Sequence, residues 1–135
     1  MLLWAALITV LSSRDFAPGF THDILRAVVG FFFPAISDAG LHKINVVIRK
    51  LAHVSEYFVL GLVVWRALRR GAAEGWQRRW ALGTLAAGVL FAGLDEFHQL
   101  FAPGRTASLA DVGFDSAGVL LALLLLYAWA RRRLP

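Results

Sequence analysis

Cysteine does not occur in this chain of 135 residues, which excludes disulfides, thiolate metal sites and cysteine nucleophiles. Charge is scarce as well. Asp, Glu, Lys and Arg make up 17% of the residues, against about 25% in an average soluble domain. What charge exists is confined to short runs between long uncharged blocks, and 59% of the residues are hydrophobic. This composition reads as one all-α domain, a polytopic membrane helix bundle. Acidic residues are the minority, nine against fourteen Lys and Arg, for a net charge of +5. Such a balance can signal nucleic-acid binding, but the basic residues are placed otherwise. Arg66, Arg69, Arg70, Arg78 and Arg79 share one loop, and Arg131, Arg132 and Arg133 end the chain. Both clusters flank hydrophobic segments, where basic residues fix membrane orientation. No nucleic-acid partner is expected.

Four spans are expected. The first, residues 1–13, reaches only about 20 Å against a hydrocarbon core of roughly 30 Å. It lacks the basic region and cleavage site of a signal peptide, so it reads as a short span or one that starts upstream of Met1. Residues 14–44 form a connection whose middle, ILRAVVGFFFPAI, suits a short interfacial or re-entrant helix. The second span covers about 45–68, the basic loop 66–79, the third span about 80–100 and the fourth about 109–129. Pro103-Gly104 breaks the chain between the last two, and Ser108 is placed to cap the fourth. No internal repeat or low-complexity tract is evident.

The 66–79 loop and the C-terminus lie two spans apart and so share a side, which the positive-inside rule makes cytoplasmic. Four spans then put the N-terminus there too. Every acidic residue except Glu74, and all four histidines, fall on the opposite half. Ionisable side chains within a bilayer are disfavoured by roughly 2.5–3.5 kcal/mol near its centre on insertion scales. Two runs carry them nonetheless: RKLAHVSEYFVLGL from Arg49, and AGLDEFHQLFAPGRTASLADV from Ala92.

Helical periodicity puts Lys50, His53, Glu56 and Tyr57 on one face of the second span, with His53 and Glu56 spaced to share a proton or a ligand. Asp95 and Gln99 are neighbours on the third span, flanked by Glu96 and His98. Ser108, Asp111 and Asp115 stack on the fourth, continued by Gly118 and Ala122 as a packing stripe. Arg105, in the turn, can neutralise Asp95, Glu96 or Asp111, or grip an anion. Simpler roles compete for some of these. Arg49 and Lys50 can snorkel to headgroups, Asp111 can serve the helix dipole, and His98 can face the interface. His22 and His42 read as loop residues. His, Asp and Glu could ligate a metal, but HExxH-like spacing is missing and Lys50 and Arg105 can balance the carboxylates. Neither metal nor cofactor is expected. Ser55 and Ser108 lack the strand–turn–helix context of a serine nucleophile.

The two runs together resemble the VanZ-like family of small bacterial membrane proteins. Lys50, His53, Glu56-Tyr57 and Leu60-Gly61 match its first motif. Asp95-Glu96, Gln99, Phe101, Pro103-Gly104-Arg105 and Asp111 match its second, and the likeness extends over about residues 45–122. Asp115 stands where asparagine is common and Ala122 where glycine is. The resemblance implies a bacterial plasma-membrane protein and carries an association with reduced sensitivity to teicoplanin-like glycopeptides. It does not bring an activity with it.

Three functions suit these residues. In the first, the outer pocket acts on a lipid or lipid-linked envelope headgroup. Catalytic candidates are then His53, Glu56, Asp95 and Glu96, and binding candidates are Lys50, Tyr57, Gln99, Arg105, Asp111 and Asp115. In the second, the same groups bind a headgroup, drug or partner without chemistry. A proton or ion path comes last, since the inner halves of the last three spans hold no acid, histidine or lysine, and their one arginine, Arg66, lies at the loop end. Oligomeric state leaves no mark in the sequence.

Overall fold

A computed structural model describes residues 18–70, 75–101 and 108–132, with side-chain surroundings from residue 23 onward. Among these residues there are four helices and no strand: α1 (Pro18–Phe32), α2 (Asp38–Arg69), α3 (Arg78–Gln99) and α4 (Leu109–Arg132). The expected first span lies outside the described residues.

Two helices, α3 and α4, are long and apolar enough to cross a membrane. At 1.5 Å per residue they reach about 33 and 36 Å. Helix α2 is longer, with 32 residues, but its charges are spread along it and it does not meet the same apolar criterion. It also begins at Asp38, before the expected span boundary near residue 45. The reason is local. Ser37 is extended at the N-cap, and its side chain accepts a hydrogen bond from the Gly40 N–H at 3.2 Å. Asp38 in the first turn adds the charge that a helix N-terminus favours. At the other end Arg70 turns left-handed, and its N–H donates to the Ala67 carbonyl.

Helix α1 occupies the connection where a short helix was expected. It packs on α2 and leaves Ile24, Val28, Phe31 and Phe32 exposed. An ion pair of Arg26 with Asp38, 3.1 Å apart and solvent-facing, joins the two.

The central bundle is α2, α3 and α4. Its pairings advance together along α2 and α4: Lys50 with Asp111, His53 with Asp115, Val54 and Phe58 with Gly118, Gly61 with Ala122. The two helices therefore run parallel. Helix α3 returns between them, with Glu96 by Ser108, Phe91 by Tyr57, Gly88 by Val119 and Trp80 by Trp65. Glycine permits the close approach. A Cβ added at Gly118 would collide with the Val54 carbonyl oxygen and lie 3.0 Å from the Phe58 nitrogen, so α4 rests on the backbone of α2 there.

Tyr57, Leu60, Val64, Ala92, Val119 and Leu123 form the core below this contact. At the arginine-rich end Trp65 stacks on Trp76, with centroids 4.8 Å apart, and meets Trp80 edge-on. Tyr127 closes that layer against Trp76. Outward, α3 and α4 expose Leu82, Leu90, Leu94, Leu121, Leu124 and Leu125, an apolar surface of the kind lipid covers.

Candidate functional site

One end of the three-helix core gathers the ionisable side chains. Each helix turns the face that its spacing implies. His53 and Tyr57 on α2 look toward Asp115 on α4, while α3 contributes Asp95, Glu96 and Gln99, all buried.

His53 Nδ1 lies 3.5 Å from Asp115 Oδ1, an ion pair when the imidazole is protonated. Asp115 is only 1% exposed. Neither of its oxygens receives a well-aligned hydrogen bond, so the histidine is an electrostatic partner and leaves acceptor capacity over. Glu56 is half-buried one turn from His53 and near enough to act on it electrostatically, as Asp95 also is. Besides the Glu56 that its spacing offers, His53 is paired across the bundle with Asp115. That choice follows from the register of α2 on α4, which places the two side chains opposite each other.

Tyr57 sits deepest, with 0% exposure, and its hydroxyl has no hydrogen-bond partner. Asp95 accepts a hydrogen bond on Oδ2 from Gln99 Nε2 at 3.1 Å, the neighbour contact that their spacing implies. Glu96 does something the sequence did not suggest. Its Oε2 accepts from the backbone N–H of Ser108 at 2.7 Å, so the end of α3 satisfies a free donor at the start of α4. Ser108 adds its own cap, its hydroxyl accepting from the Ala110 N–H at 3.2 Å.

At the rim, Lys50 Nζ stands 3.3 Å from Asp111 Oδ1 and 3.9 Å from the centroid of the Phe114 ring. Lysine therefore meets Asp111, one of the three acids the sequence set within reach of Arg105. Arg105 itself lies outside the described residues. His98 and His42 are exposed. Two further buried polar residues carried no sequence signal: Asn45 on α2 and Thr84 within α3. Both sit in otherwise apolar stretches, where single polar residues are unremarkable until the packing is known. Among the described residues no three His, Asp or Glu side chains converge well enough to hold a metal ion.

Chemically the cluster can move a proton at His53, accept hydrogen bonds at Asp115 and offer a hydroxyl at Tyr57. The fold and this cluster define a class: a small all-α protein with two helices fit to cross a membrane and buried ionisable groups at one end of its bundle. Within that class the chain belongs to the VanZ/LLP1 family, whose model matches residues 1–130. Membership brings a membrane-associated protein, with which the two apolar helices agree. Among curated proteins and solved structures none matches the chain.

Proposed function

We propose that the protein lies in the bacterial plasma membrane with four crossings and both termini cytoplasmic. Its polar end then faces the outer leaflet, where it binds a lipid or lipid-linked headgroup of the cell envelope and acts on it by proton transfer. The His53–Asp115 pair carries this reading. A carboxylate set against one imidazole nitrogen orients the ring and leaves the other nitrogen to take or give a proton. Glu56 and Asp95 flank that pair as further acid–base candidates. Lys50 and Arg105 supply positive charge for a phosphate, Asp111 lies at the rim, and Gln99 holds Asp95 within.

The test is turnover. Purified protein incubated with extracted envelope lipids should convert one lipid class, followed by mass spectrometry. His53→Gln should slow conversion by about a hundredfold or more, the scale of general acid–base catalysis, while the lipid remains bound. Conversion at an undiminished rate in His53→Gln, or none by the native protein, would overturn the catalytic reading.

A second reading, binding without chemistry, has an observation of its own. Glu96, Lys50 and Gln99 are already engaged in contacts that tie the helices or shape the cluster. In that case lipid is retained by the native protein and unchanged on release. An effect on glycopeptide sensitivity is compatible with both readings. Expression in a sensitive host should raise the inhibitory concentration of a teicoplanin-like drug, and an unchanged value removes that consequence.

A further inference from the structure

Two buried groups in the cluster are left unsatisfied. The Tyr57 hydroxyl has no hydrogen-bond partner although the residue is 0% exposed. Both Asp115 oxygens lack a well-aligned donor at 1% exposure. Such groups are normally satisfied in folded proteins, and an exception calls for an occupant or a function. They are also neighbours. Asp115 is near enough to Tyr57 to act on it electrostatically. Gly118, within one turn of Asp115, brings the helix so close that an added Cβ would lie 3.0 Å from Tyr57 Cβ.

The chemistry of the two groups restricts what can join them. An ionised carboxylate only accepts hydrogen bonds, so the occupant must donate; a phenol hydroxyl can accept or donate. Charge narrows the choice further. Asp95, Glu96 and Glu56 surround the pair, and Asp95 and Glu96 are buried. The described basic groups of this region are Arg49, Lys50 and His53, and Lys50 is held by Asp111 and Phe114. A water or a neutral hydroxyl would supply donors without charge. A protonated primary amine supplies three N–H donors and the positive charge that a buried carboxylate needs.

We propose that the cluster takes a primary ammonium group of its ligand, held between the Asp115 carboxylate and the Tyr57 hydroxyl. This rests on the headgroup reading and narrows it to amine-bearing headgroups. Phosphatidylethanolamine and an amino-sugar lipid share that chemistry.

The experiment is a competition read by native mass spectrometry. The full chain is reconstituted in phosphatidylglycerol vesicles doped equally with phosphatidylethanolamine and its N-acetyl derivative, then extracted in mild detergent. A second arm uses a glucosamine-bearing lipid and its N-acetyl form. The free amine should be retained over the acetylated form by about tenfold in at least one arm, as loss of a charge-assisted hydrogen bond implies. Which arm responds tells a phospholipid amine from a sugar amine. Tyr57→Phe removes a hydroxyl that bonds nothing in the protein, so it should fold normally and lose part of the preference. Asp115→Asn should lose all of it. Equal retention of free and acetylated lipids in both arms overturns the amine proposal and leaves the headgroup reading standing. Retention of no lipid removes both. An undiminished preference in Tyr57→Phe also overturns the proposal, even where Asp115→Asn fails to fold.

Discussion

Glu96 and Asp111 are both acids near the start of α4, yet their surroundings give them different weights. Glu96 is buried, and its carboxylate accepts from a backbone N–H that has no partner inside the helix. A hydrogen bond to a charged group contributes about 1.5–3 kcal/mol, so Glu96→Ala should destabilise the protein by about that much in denaturant unfolding in detergent. Asp111 meets Lys50 with both side chains about two-fifths exposed. Exposed ion pairs contribute at most about 1 kcal/mol, and Lys50→Met should change stability by no more than that in the same assay. If the two substitutions cost the same, the cap has no special weight. At this scale the sequence was informative about faces and silent about partners. Spacing placed His53 and Asp115 correctly on their helices. It could not reveal that they meet, because pairing depends on the register between helices, which periodicity within one helix does not encode. The same gap hid the meeting of Lys50 with Asp111.

Helix packing explains why that register holds. Along α2 the residues Lys50, His53, Tyr57 and Gly61 form one stripe, and Asp111, Asp115, Gly118 and Ala122 form the matching stripe on α4. Small residues at Gly61, Gly118 and Ala122 let the backbones meet just below the charged pairs. Gly118→Ala should therefore destabilise by about 1–3 kcal/mol or more, the range for overpacking, because a backbone oxygen cannot move aside as a side chain can. Gly93→Ala and Gly113→Ala, with nothing within 4 Å of the added methyl, should be neutral or stabilise by up to about 1 kcal/mol, the helix preference of alanine over glycine. Urea or SDS unfolding of the three variants separates these outcomes. The bounds of α3 and α4 were legible because charged residues and a Pro-Gly turn frame them. The start of α2 was not. Hydropathy marks where apolar sequence begins, whereas Ser37 starts the helix earlier through hydrogen bonds that hydropathy does not see.

Among the described residues the chain is all-α with an apolar outer surface, as its composition implied, while the number of crossings depends on helices that composition alone does not separate. Its freedom from cysteine makes the topology directly measurable. With the proposed orientation, Leu109→Cys should react with a membrane-impermeant thiol reagent on intact cells, and Gln77→Cys only after permeabilisation. The reverse pattern would invert the protein, and with it the leaflet that the polar cluster serves. Beneath that cluster, Tyr57, Ala92, Val119 and Ala122 are all wholly buried, each at 0% exposure. They pack across the three helices between the ionisable end and the tryptophan layer. Side chains so fully covered leave no room for water among them, so the polar end should be closed on its inner side and should not leak protons across the membrane. Vesicles carrying this protein should hold an imposed pH difference as long as empty ones do.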